Sequence, residues 1–112
     1  MPTRPRGRSG WNRGVANAIW DRDEGCCVYC GGYASVIDHI FPVKAGGPTI
    51  KANGVLACGR CNYRKAAKLN IDQITRAFFH LLNKGESLEW IDKLIEEDDR
   101  PRIREAQASY TA

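Results

Sequence analysis

The 112-residue chain has no apolar run approaching the ~20 residues that a membrane-spanning helix needs. Its N-terminus lacks the apolar core of a signal peptide, so the expectation is a soluble, cytoplasmic protein. No internal repeat longer than a paired Cys-x-x-Cys is present, which excludes solenoids and propellers. An odd cysteine count, five, excludes a framework in which every thiol is paired in a disulfide. Without a secretory route, paired cysteines read better as metal ligands. Acidic residues are scarce in the first 71 positions, 4 Asp/Glu against 11 Lys/Arg. The remaining 41 positions reverse this, with 9 against 6. A basic segment of that kind suits a polyanionic partner such as nucleic acid.

What is present concentrates between Cys27 and Lys65. Cys27-Val28-Tyr29-Cys30-Gly31 opens the stretch and Cys58-Gly59-Arg60-Cys61-Asn62 closes it. Two Cys-x-x-Cys turns supply four thiolates, the number that tetrahedral Zn²⁺ takes in structural sites. Cys27, Cys30, Cys58 and Cys61 are the expected ligands; Cys26 is left over and fits the turn less well in place of Cys27. Within the loop lies Ile37-Asp38-His39-Ile40-Phe41-Pro42. A carboxylate beside an imidazole at a strand end offers a hard oxygen for Mg²⁺ or Mn²⁺ and a base that titrates near neutrality. Asn62 follows a zinc ligand by one helical position, about 100° around the axis, so it can face the strand end.

The elements follow in order. Residues 1–10 read as a disordered basic arm, with Arg4, Arg6 and Arg8 among Pro and Gly. Asn12 caps a helix to about Glu24, with Gly25 as its stop. Tyr33–His39 reads as a strand, residues 41–49 as a loop broken by Pro and Gly, and Val55–Ala57 as a second strand. A helix is expected from Gly59 to Lys68. Asn70 with Gln73 forms a capping box for a helix over Ile71–Asn83, and Ser87 starts another reaching Asp98. The two look like a hairpin, and the acidic run of Glu96, Glu97, Asp98 and Asp99 makes it a poor DNA surface. It leaves open a homodimer or a protein partner through these helices.

The segment Cys27–Lys65, about a third of the chain, resembles the HNH endonuclease family in its zinc-stapled branch. The residues that carry the resemblance are Cys27-x-x-Cys30-Gly31, Asp38-His39-Ile40-x-Pro42, Gly46-Gly47, Asn53 and Cys58-x-x-Cys61-Asn62-x-x-Lys65. It departs from the family pattern at Gly54, where an apolar residue is usual. The resemblance implies a small α+β fold: a ββα-metal core with a four-cysteine zinc site, an N-terminal helix and a C-terminal helical hairpin. The division it suggests is an arm over residues 1–10, a nuclease domain over 11–69 and a helical extension over 70–112. By resemblance His39 is the general base, Asp38 and Asn62 ligate the catalytic divalent ion, and Asn53 holds the loop that orients the histidine. Lys65 would approach a phosphate, with Lys44, Lys51, Arg60 and Arg64 as further candidate DNA contacts. The implied activity is metal-dependent hydrolysis of DNA phosphodiesters, by nicking or double-strand cutting, leaving 5′-phosphate and 3′-hydroxyl ends. Small stand-alone chains of this kind resemble HNH proteins of phages, whose site of action would be the host cytoplasm. The competing class is a zinc module that binds nucleic acid or protein without catalysis.

Overall fold

The computed structural model describes residues 10–65 and 70–98, with side chains up to Leu94. Residues 1–9 of the expected arm, the helix end at 66–69, the side chains of the acidic run and the tail from Asp99 lie outside the described residues.

Helix α1 spans Arg13–Arg22, and its start is fixed by the Asn12 side chain accepting from the Val15 amide at 2.9 Å. It stops two residues short of the expected end, because Glu24 and Gly25 both take positive φ. Strand β1, Val36–His39, pairs antiparallel with β2, Gly54–Ala57, setting His39 opposite Gly54 and Asp38 opposite Val55. Helix α2, Gly59–Lys65, completes the ββα unit. The first strand is shorter than expected: Tyr33 makes only an isolated bridge to Cys26, on the far side of the first cysteine turn.

All four β2 residues are buried, and successive side chains face opposite ways. Val55 and Ala57 enter a core with Ile40, Phe41, Ile74, Phe78, Leu81 and Ile91. Leu56 enters a second, smaller core with Trp11, Ile19, Trp20 and Ala34. Helix α1 thus packs on β2 and the adjoining turn at Lys51–Asn53.

Helix α3, Ile71–Asn83, begins with the Gln73 amide donating to Asn70 Oδ1 at 3.1 Å. The reciprocal half of the capping box is absent: Gln73 Oε1 is buried with no hydrogen-bond partner among the described residues, while its Nε2 donates to the Cys61 carbonyl at 3.2 Å. Helix α4, Glu89–Asp98, follows, and Leu88, Ile91 and Leu94 join the larger core. The core-facing residues of the hairpin are therefore used within the chain, while Phe79 and Leu82 of α3 stay exposed, and no observation supports the expected second copy or protein partner. No helix among the described residues is long and apolar enough to cross a membrane.

Candidate metal and active centre

The two cysteine turns meet as their spacing requires. The first closes through Gly31 N–H donating to the Cys27 carbonyl at 2.8 Å, with Gly31 at φ +82°. Gly32 N–H points at Cys30 Sγ (3.4 Å), and Cys61 N–H points at Cys58 Sγ (3.4 Å). The four sulfurs lie within 4.8 Å of one another, and Cys30 and Cys58 are 3.7 Å apart. A Zn–S bond of about 2.3 Å gives a tetrahedral edge of about 3.8 Å, so the donor set fits zinc. Cys26 is exposed, its thiol donates to the Glu24 carbonyl and it stays outside the cluster, which favours the register with Cys27.

The thiols carry the electrostatic signature of a site that needs a cation. The Cys61 amide draws the Cys58 thiol down to about 7, while burial and the neighbouring sulfurs push Cys61 up to about 12. Burial also raises Cys27. Four adjacent thiolates repel unless a dication sits among them, and a bound zinc deprotonates its thiols outright.

On the other side of α2, a cavity of about 510 Å³ is lined by Ile37, Asp38, His39, Pro42, Val43, Lys44, Asn62 and Lys65. Asp38 and His39 point to opposite faces of β1, yet both reach this cavity because the strand ends there. Asp38 is 8% exposed and accepts from the Tyr29 hydroxyl at 2.7 Å. Burial raises its pKa, against the opposing pull of Lys65, Tyr29 and His39.

Lys65 differs from the expected phosphate contact. It is 1% exposed; its Nζ donates to the His39 carbonyl at 2.6 Å and lies 3.2 Å from Asp38 Oδ2. The physical reason is helical spacing: Lys65 shares a side with Asn62, three residues earlier, and that side faces the strand end. Burial lowers the Lys65 pKa, and Asp38 works against that.

His39 is held by groups that motif spacing does not reveal. Its Nε2 lies 2.9 Å from Thr49 Oγ1, and its ring stacks on Trp11. Burial holds the imidazole below its ordinary value; Asp38 opposes this and Lys65 adds to it. Asn53 is fully buried and does not make a hairpin tip. Its Oδ1 accepts from Phe41 N–H at 3.0 Å, and its Nδ2 donates to the carbonyls of Phe41 (3.1 Å) and Pro48 (2.7 Å). It pins both ends of the loop that follows His39. Thr49, Tyr29 and Trp11 carry no motif, and nothing in their spacing marks them.

The remaining basic candidates scatter. Lys44 is exposed on the cavity rim, and Arg60 is exposed on α2. Arg64 borders a separate pocket beside Cys30, Cys61 and Arg76. Lys51 lies 3.4 Å from Glu86, so its charge is partly matched inside the chain.

Residues 27–68 match the family model described as HNH endonuclease, and this segment holds both cysteine pairs, both strands and α2. Over this segment the chain is similar to that family. Searches of curated proteins and of solved structures gave no match.

Proposed function

We propose that the protein is a divalent-metal-dependent DNA endonuclease, with His39 as general base and Asp38 and Asn62 as ligands of the catalytic ion. The observation that carries this reading is the convergence of Asp38, His39 and Asn62 on one cavity beside the cysteine cluster. Asp38 and Asn62 offer hard oxygen donors, the set that suits Mg²⁺ or Mn²⁺, whose remaining positions go to water and substrate phosphate. When bound, the ion would stabilise negative charge on the phosphate and on the departing oxygen.

The side chains divide the rest of the work. With its pKa held below the ordinary value, His39 is neutral near pH 7 and able to accept a proton from water. The resulting hydroxide attacks phosphorus in line with the 3′ oxygen, leaving a 5′-phosphate and a 3′-hydroxyl. Asn53 holds the loop after His39, and Lys65 sets its cation against Asp38 and the His39 carbonyl. Lys44 on the rim and Arg60 on α2 are the DNA contacts this arrangement supports best, since both are exposed. Lys51 and Arg64 are proposed as peripheral contacts.

One observation favours a second reading. The ion pair between Lys65 and Asp38 engages the carboxylate that the catalytic ion would use. On that reading the domain holds zinc and binds nucleic acid without cutting it. Incubating supercoiled plasmid with the protein and Mg²⁺, Mn²⁺ or neither separates the two. Cleavage is expected with a divalent ion, and His39→Ala is expected to slow it ~10²–10⁴-fold while leaving the zinc content unchanged. Uncut plasmid under every ion would select the binding module.

A further inference from the structure

His39 closes β1 at the point where the chain leaves the sheet, and an imidazole there needs support to keep one orientation. Thr49 Oγ1, 2.9 Å from Nε2, fixes one direction in the ring. The plane is fixed by something else. The Trp11 indole lies against the imidazole with centroids 4.4 Å apart and planes inclined by 30°.

Trp11 can reach this position because Gly54, the cross-strand partner of His39, has no side chain. A Cβ at Gly54 would stand 2.7 Å from Trp11 Cη2 and 2.8 Å from Ile19 Cδ1. The indole fills that volume and is 5% exposed. Its Nε1 is buried with no hydrogen-bond partner among the described residues. A buried indole whose polar atom is unmatched contributes through its ring face, since the N–H is a cost. Trp11 also lies upstream of the matched segment, which begins at residue 27, so this support comes from outside the HNH motif.

We propose that Trp11 is a positioning residue for cleavage, fixing the plane of the His39 imidazole so that the base meets the attacking water in one orientation. The proposal rests on the nuclease reading above. Trp11 is buried against His39 and acts through it.

The test compares the parent with Trp11→Phe and Trp11→Leu in steady-state plasmid cleavage, each at full zinc content. Trp11→Leu fills much of the space without a flat face. It is expected to lower kcat about ten- to a hundredfold, the scale of a misplaced catalytic group, with KM for DNA unchanged. Trp11→Phe restores a ring face and most of the rate. A folded Trp11→Leu protein with the parent's kcat overturns the proposal, as does an equal loss in both variants or a loss confined to KM. A second measurement needs neither a Trp11 variant nor activity. The chain has two histidines, so the imidazole protons of the parent are assignable by NMR against His39→Ala. Stacking is expected to shift the His39 ring protons upfield, and unshifted protons in the folded parent would overturn the proposal. A parent that cuts while Trp11→Leu matches it refutes the positioning role alone. A parent that never cuts refutes the nuclease reading, and the positioning role with it.

Discussion

Asp23 takes no part in the cavity, yet its carboxylate joins α1, β2 and α3. The side chain is fully buried and accepts from Arg22 Nε (2.7 Å), Arg22 Nη2 (2.9 Å) and the Leu56 amide (3.0 Å), with His80 Nε2 on Oδ1. Arg22 in turn donates to the carbonyls of Lys51 and Gly54, bracketing the turn that carries Asn53. Burial alone would raise the Asp23 pKa; the bonds from His80, Arg22 and Leu56, with the charge of Arg22, outweigh it and hold the group below its ordinary value. A lowered folded pKa stabilises the fold above the unfolded value near 3.9, and that stability is lost as pH falls through the lower, folded value. Asp23→Asn keeps the shape but strips the charge, leaving Arg22 and His80 without their shared anion. The expected loss at neutral pH is about 3–5 kcal/mol, the scale for breaking a buried ion pair. Denaturation midpoints of parent and variant should stay apart from neutrality down to about pH 5 and converge only below about pH 4. A gap already closing between pH 7 and 6 would refute the assignment to Asp23. His80 reads from the sequence as a surface or core-edge histidine, because nothing local marks a partner 57 residues earlier.

At the scale of elements, the local signals were legible and the contacts between elements were not. Asn12 and Asn70 cap their helices, and the strand–loop–strand–helix order of the core follows the hydrophobic pattern and the Pro and Gly breaks. Those are properties of short windows. Three-dimensional partners are not: Gln73 caps half a box and spends its side chain on α2, and Lys65 turns inward because α2 lies across the end of β1. The candidate site was legible through its motif residues, while Thr49, Tyr29 and Trp11, which hold those residues, were not. The loop between the strands shows what spacing hides. Gly47 reads as a simple breaker, but a Cβ there would stand 1.8 Å from the Phe41 carbonyl oxygen and 3.0 Å from Asn53 Nδ2. Gly47→Ala must therefore push apart the same backbone that Asn53 ties together. The expected cost is about 1–3 kcal/mol of overpacking, read as a lower melting temperature, together with slower plasmid cleavage. A variant that melts and cuts like the parent would mean that the loop has room to yield, and Asn53 would lose its claim to hold it.

Across the whole molecule, the cysteine site decides whether the two cores act as one body. The smaller core is built from α1 and one face of β2, the larger from the opposite face with α3 and α4. Zinc would join the turn after α1 to the start of α2, and the same helix carries Cys61, Asn62 and Lys65. Cys27, Tyr29 and Cys61 are themselves members of the larger core, so the metal site and the packing are not separable. Structural zinc contributes about 10–16 kcal/mol of apparent folding free energy in small domains, comparable to the whole net stability usual for a domain. Removing it leaves four thiols that cannot all stay charged side by side, with Cys58 near 7 and Cys61 near 12. Stripping the zinc with a strong chelator is therefore expected to unfold α2 together with the larger core, and to abolish cleavage. Adding Mg²⁺ or Mn²⁺ in excess should not restore either, because neither ion favours thiolate ligands; adding Zn²⁺ should restore the fold, and activity should return once Mg²⁺ or Mn²⁺ is also supplied. Circular dichroism and plasmid cleavage followed on one sample read the two together. A zinc-free protein that kept its helical signal and cut DNA with Mn²⁺ would uncouple the staple from the active centre, and α2 would then owe its position to packing alone.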